Sequence, residues 1–216
     1  KIEIYFLFYY FLMMQILTML TISKFTSSNV PYYYNPLIHN FGNVGLGGKF
    51  HANLAPVARR LIDYISYEGV NIRQDILSEY REKEVLDFCC GIGDSTSDFG
   101  TGVDTSMEML KVAKKLNSDK KFYFGNAENY KPRKEFDIVT CMFAFHEMPL
   151  EAQMNVIENG KKIAKEEFII VDIASNYQPK EIMLTGEPYL LDYLDNINLL
   201  LNSFEKINYI DKHVNI

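Results

Sequence analysis

From Glu84 onward the chain alternates between apolar runs of strand length and longer stretches whose apolar positions recur at helical spacing. Val85, Leu86 and Phe88 form the first run, Gly102-Val103-Asp104 ends a second, and Phe136 to Phe143 and Phe168 to Asp172 are further runs. Another strand is expected from Lys206 to Val214. Between them Met109, Ala113 and Leu116 share a helical face, as do Leu150, Met154 and Ile157. Glu187-Pro188 opens a later helix with Leu190, Leu194, Ile197, Leu201 and Phe204 along one side. Ala55-Pro56, with Val57, Leu61 and Ile65, begins a helix ahead of the first strand. This alternation predicts an α/β fold with a doubly wound, mostly parallel sheet, because strands apolar along their length need helices on both faces.

Two unlike segments come first. Ile4 to Ile22 is apolar and aromatic, broken by Gln15, Thr18 and Thr21, and reaches the about 20 residues that span a bilayer. It follows Lys1 and has no clear small-residue cleavage site. Three readings of residues 1–24 stand: a membrane anchor or targeting leader, a helix packed on the domain, or translated sequence upstream of a start at Met13 or Met14. Residues 25–54 are rich in turn formers and aromatics, with Pro31-Tyr32-Tyr33-Tyr34-Asn35-Pro36 followed by Asn40 to Gly48. They read either as a lid with glycine hinges or as a surface loop anchored by its aromatics. Residues 55–216 carry the main domain.

The chemistry concentrates where the first strand stops. Asp87-Phe88-Cys89-Cys90-Gly91-Ile92-Gly93 places two glycines at a strand-to-helix turn, where positive φ and bare backbone let a ligand approach N–H groups. Asp104 follows at the tip of the next strand, where a carboxylate can accept from two neighbouring ribose hydroxyls. Thr105-Ser106-Met107-Glu108 fits a capping box that starts a helix directly after the acid. Together these features point to a ligand containing a nucleoside.

Val85 to Gly93, Gly102 to Leu110, Gly125-Asn126-Ala127-Glu128 and Phe136-Asp137-Ile138-Val139 resemble the successive motifs of class I S-adenosylmethionine-dependent methyltransferases. The nearest likeness is to the small-molecule branch of the ubiquinone and menaquinone methyltransferases. The resemblance runs from about Ala55 to the C-terminus and implies a Rossmann-like fold with S-adenosyl-L-methionine as cofactor. It implies that Asp87 holds the methionine ammonium and that Gly91 and Gly93 pack on the methionine and ribose. It further implies that Asp104 binds the ribose, Met107 covers the adenine, and Asn126 and the Ala127 N–H pair with its ring. Plainer readings stand beside these: Asp87 as a satisfied buried acid, Asn126 as a turn residue, Met107 as core.

Relatives place methyl transfer at the end of the fourth strand, where Phe143-Ala144-Phe145-His146-Glu147 stands. His146 is the candidate base for acceptors that must lose a proton, with an ordinary pKa near 6.5; the alternative is a histidine that bonds to backbone. Tyr33, Tyr34, His39, His51 and Phe143 are the candidate acceptor wall. Lys162 to Glu167 replaces the glycine-rich turn usual before the fifth strand, so that connection is built differently. The fold normally ends in a hairpin, and here only its first strand is legible. Either the last strand is clipped or the sheet closes with six.

Composition narrows the picture. The 216 residues have no internal repeat, and 48% hydrophobic content suffices for one core. A net charge of -6 gives no electrostatic footprint for nucleic acid. Cys89, Cys90 and Cys141 lack metal-ligand spacing, so reduced thiols and no metal centre are expected. The expected partner is a small-molecule or lipid-like acceptor, with membrane association through residues 4–22 if these form an anchor. The expected setting is intracellular, cytoplasmic or membrane-associated, with organelle targeting left open. Acceptor identity, the atom methylated and oligomeric state are not legible. A nicotinamide-dependent reductase is disfavoured because Thr96 takes the place of the third glycine and Asp104 comes early for the usual ~20-residue spacing. A methyltransferase-like subunit without catalysis is the remaining alternative.

Overall fold

A computed structural model describes residues 30–67, 69–207, 209–211 and 214–215. The apolar segment 4–22 lies outside them. Among the described residues no helix is long and apolar enough to cross a membrane.

The strands are β1 (Val85–Phe88), β2 (Thr101–Asp104), β3 (Lys121–Phe124), β4 (Phe136–Met142), β5 (Ala164–Ile173), β6 (Tyr209–Asp211) and β7 (Val214–Asn215). They form one sheet in the order β3-β2-β1-β4-β5-β7-β6. The first five run parallel, and β7 lies antiparallel to both β5 and β6. The stretch expected as one strand over 206–214 is therefore two short strands, and the second inserts beside β5. Among the described residues the sheet therefore has seven strands rather than six, the last too short to show a period in sequence.

The helices are α1 (Gly45–Ser66), α2 (Ile72–Leu77), α3 (Met107–Leu116), α4 (Leu150–Ile163), α5 (Glu181–Leu184) and α6 (Leu190–Leu201). The helix expected to open at Ala55 starts at Gly45, so the glycine-rich stretch forms its first turn. Pro56 sits inside it, and Val57 and Leu61 on it are exposed. The helical faces of α3 and α4 are also turned from expectation. Met109, Leu110 and Ala113 are buried in α3 while Leu116 is exposed; in α4 Ala152, Gln153, Val156 and Ile157 are buried while Met154 is exposed. In α6 the fully buried line is Leu190, Tyr193, Ile197 and Leu200, with Leu194, Leu201 and Phe204 packed at its margin.

The cap of α3 is shifted by one residue. Ser106, not Thr105, accepts from the Met109 N–H at 3.1 Å and donates to the Asn43 carbonyl at 2.6 Å. Glu108 does not close a capping box on Thr105 but accepts from the Gly45 N–H at 3.2 Å, at the start of α1. The polar residues meant for a local cap thus tie the 43–45 segment to the loop after β2. Lys162 to Glu167 holds no turn: α4 ends at Ile163 and β5 begins at Ala164.

Strand order reverses between β1 and β4, which leaves a crevice at the carboxyl ends of the strands, where open α/β sheets take ligands. The core under it is made by Leu86, Phe88, Val103, Val139 and Cys141 with Phe136, Phe145, Val156 and Leu190.

Candidate functional site

A cavity of about 440 Å³ opens at the switch point, roofed by residues 32–62. Each of the five parallel strands contributes its end to the wall: Cys89 to Gly91 after β1, Asp104 and Thr105 at β2, Gly125 to Ala127 after β3, Met142 to Ala144 at β4 and Ile173 at β5.

The turn after β1 is shaped by backbone rather than side chains. Cys89, Gly91 and Gly93 have φ of 55°, 51° and 84°. A Cβ on Gly93 would lie 2.6 Å from the Phe122 ring, so that glycine is required by packing. A Cβ on Gly91 would meet nothing within 4 Å, so this glycine leaves open space at the cavity wall. The Gly91 N–H donates to Asp104 Oδ2 at 2.8 Å, and the Ser106 N–H donates to Oδ1 at 2.7 Å. Burial pushes the Asp104 carboxyl up to about 6, against the pull of those N–H groups. Each of its oxygens retains a lone pair for a further donor.

Asp87 sits below this turn and is fully buried outside the cavity wall. It accepts from Thr96 Oγ1 at 2.7 Å, Ser95 Oγ at 2.9 Å and Thr140 Oγ1 at 3.1 Å. Burial raises its pKa to about 6, while the three hydroxyls oppose the shift. Its oxygens fasten the 91–96 turn to β4. Gly93 and Met107 also lie off the cavity wall; Met107 is exposed, and from the same helix Met109 reaches the cavity instead. Asn126 lines the cavity while closing a turn of its own: its Oδ1 accepts from the Glu128 N–H at 3.0 Å, and its Nδ2 donates to Glu128 Oε1 at 2.9 Å. Ala127 is beside it on the wall.

His146 lies in the 3₁₀ turn Phe145–Glu147, just past β4. Asp172, near the end of β5, accepts from its Nδ1 at 2.5 Å with one oxygen and from the Phe145 N–H at 2.7 Å with the other. Gln153 braces the same turn by donating to the Phe145 and Met148 carbonyls. Burial acts to lower the His146 pKa, but the Asp172 carboxylate outweighs it and raises the group to about 9. The ordinary value near 6.5 does not apply: at neutral pH the ring carries a proton, and it acts as a base only after that proton has left.

The candidate acceptor residues divide. Tyr33, His39, His51 and Phe143 reach the cavity; Tyr34 lies off its wall, with its hydroxyl donating to the Thr105 carbonyl at 3.4 Å. Two features at the wall carry no motif. Arg59 pairs with Asp94 through Nε, and the Arg73 guanidinium stacks on the Phe143 ring at 4.1 Å. Burial lowers the Arg73 pKa, a sign of a guanidinium drawn from water. The second is His39, held between Glu147 at 2.8 Å and Glu187 at 3.0 Å. His39, Cys89 and Phe143 all have positive φ and all line the cavity, and strain of that kind gathers at functional sites.

Residues 85–167 match the family model described as Methyltransferase domain. No curated protein matches the chain significantly. Among solved structures, the glycopeptide N-methyltransferase MtfA is 12% identical with a TM-score of 0.50, over 66% of this chain and 86% of that one. An S-adenosylmethionine-dependent methyltransferase from Clostridium acetobutylicum is 18% identical with a TM-score of 0.46, over 56% of this chain. The chain spans 58% of the length of that structure. A TehB-like methyltransferase from Corynebacterium glutamicum is 14% identical with a TM-score of 0.47, over 64% of this chain and 83% of that one. The chain thus has the class I methyltransferase fold, and residues 85–167 within it match the methyltransferase-domain family.

Proposed function

We propose that this protein transfers a methyl group from S-adenosyl-L-methionine to a small-molecule or lipid-like acceptor. The observation that carries the reading is one cavity at the switch point that holds Gly91, Asp104 and Asn126-Ala127 along one side and His146 and Phe143 along the other. The residues fit the cofactor: Gly91 leaves open space, Asp104 offers lone pairs for two ribose hydroxyls, and Met109 offers a polarizable surface for adenine. The Asn126 side chain already serves its own turn, so the Ala127 N–H is the better placed partner for the ring. Asp94 and the Arg59 and Arg73 guanidiniums give opposite charges for the ammonium and carboxylate of the methionine end. Asp87 positions the turn through Ser95, Thr96 and Thr140.

When bound, the cofactor supplies a methyl carbon activated by a positive sulfonium. The chain then has to align the acceptor and exclude water. Tyr33, Phe41 and His51 close over the cavity from the N-terminal side, and Phe143 limits it from β4. His146, fixed by Asp172, is the group that exchanges a proton with the acceptor. Neighbours of this fold include a glycopeptide N-methyltransferase and an amino pentose methyltransferase, so a polar acceptor is as compatible as a quinone-like ring.

Calorimetric titration with S-adenosylhomocysteine and with NADH tests the reading. Stoichiometric binding of the first and none of the second is expected; a folded sample that ignores S-adenosylhomocysteine would refute it. Release of S-adenosylhomocysteine across an acceptor screen then separates an enzyme from a cofactor-binding subunit.

A further inference from the structure

We propose that His39, Glu147 and Glu187 form a binding site for a divalent cation of the zinc class at the acceptor end of the cavity. Each residue comes from a different segment: His39 from the turn Ile38–Asn40, Glu147 from the turn after β4, and Glu187 from the loop before α6. One ligand atom from each lies within 4.8 Å of the others, and all three side chains line the cavity. His39 Nε2 is 2.8 Å from Glu147 Oε1, and Nδ1 is 3.0 Å from Glu187 Oε1. Ligand atoms about 2.0 to 2.1 Å from a tetrahedral zinc stand about 3.3 Å apart, so a metal on Nε2 beside Glu147 requires the Glu187 carboxylate to swing over from the Nδ1 edge of the ring, a movement bounded by the 4.8 Å that encloses the three ligand atoms.

A second observation points to an occupant. The Glu187 side chain is only 10% exposed, and its Oε2 is buried with no hydrogen-bond partner. Beside it the His51 ring packs on His39 at 4.5 Å between centroids, with its Nδ1 also buried and unpartnered. Buried polar atoms without partners are uncommon and call for an ion or water. The backbone is also held for this geometry. His39 has φ of 48°, and its N–H donates to the Gly186 carbonyl at 2.6 Å, which fixes the histidine against the Glu187 loop.

A neutral imidazole with two carboxylates carries a charge that a divalent cation balances, and three protein ligands leave a position free, as in catalytic zinc sites. His146 and Glu147 share one turn and line the same cavity. A metal there would hold an acceptor oxygen and lower its pKa. This use of the metal rests on the methyl-transfer reading; its binding does not. A proton is the competing occupant, in which case the cluster is a histidine cation clamped by two acids.

The test is equilibrium dialysis of the tag-free chain against zinc chloride, with bound metal measured by mass spectrometry and folding followed by circular dichroism. One equivalent of zinc is expected. Glu187→Gln and Glu147→Gln should each weaken it by ~10-fold or more, while keeping the spectrum of the parent. His39→Gln serves as a third variant if either fails to fold. No stoichiometric uptake by the parent, or uptake unchanged in the folded variants, overturns the site. Titration of the same samples with S-adenosylhomocysteine keeps the two readings apart: zinc without cofactor binding sinks only the methyl-transfer reading, and the converse sinks only the metal site.

Discussion

Asp87 and Asp104 are close in sequence and similarly shifted, yet they do different work. Asp104 reaches the cavity, and its carboxyl titrates at about 6. A ribose contact needs the ionised form. Affinity for S-adenosylhomocysteine should therefore fall as pH drops through about 6, and calorimetry across that range checks it. Asp104→Asn should weaken binding by roughly 2 kcal/mol and flatten that dependence; an unchanged pH profile would place the sensitive group elsewhere. Asp87, out of reach of the cavity, should show itself in stability. Its folded pKa is raised, so the stabilisation due to its proton is complete below the ordinary carboxylate value and is lost as pH rises through about 6. Parent and Asp87→Asn should thus diverge in chemical denaturation, with the parent gaining relative to the variant from about pH 7.5 to about pH 5. For His146→Asn the expected result is slow turnover with cofactor affinity retained; equal loss of both would make its bond to Asp172 purely structural.

The turn after β1 shows how an element's sequence is read only in part. Its glycines and its start after Val85-Leu86-Asp87-Phe88 were legible, because a strand that stops at glycine has few alternatives. That Gly93 faces Phe122 was not, since β3 lies two crossovers away in the chain. Gly93→Ala should cost about 2 kcal/mol in urea denaturation through steric clash and a strained φ. The double variant with Phe122→Leu should recover part of that loss, and no recovery would mean that φ alone matters. The α3 cap was misread by one residue for a similar reason. Thr105 and Ser106 are chemically alike, and the choice went to Ser106 because it also reaches Asn43. α1 was misread more widely: glycine suggests a hinge, but Gly47 and Gly48 pack so closely on Phe41 and Asn43 that no larger residue fits.

At the scale of the molecule, cofactor binding should raise the unfolding midpoint, because the wall is drawn from five strand ends and from α1. Ligand at about 100 times its dissociation constant adds about 2.7 kcal/mol. A thermal melt with S-adenosylhomocysteine checks this, and a ligand that binds without raising the midpoint would point to binding in the unfolded chain as well. The parallel run and the position of the site at the strand ends follow from alternating strands and helices. These were readable because each rests on local periodicity and on a rule that admits few topologies. The hairpin at the far edge was not, because strands of three and two residues carry no period. The sequence by itself determined the α/β alternation, the glycine turn and the acid that follows it, since each is set by residues near one another in the chain. Only the tertiary structure decided that Met109 rather than Met107 meets the cavity, that Asp87 braces the turn, that Asp172 raises His146, and that His39 stands between two acids. Those outcomes depend on contacts between distant segments, and burial then fixes both the partners and the charge of the groups they enclose.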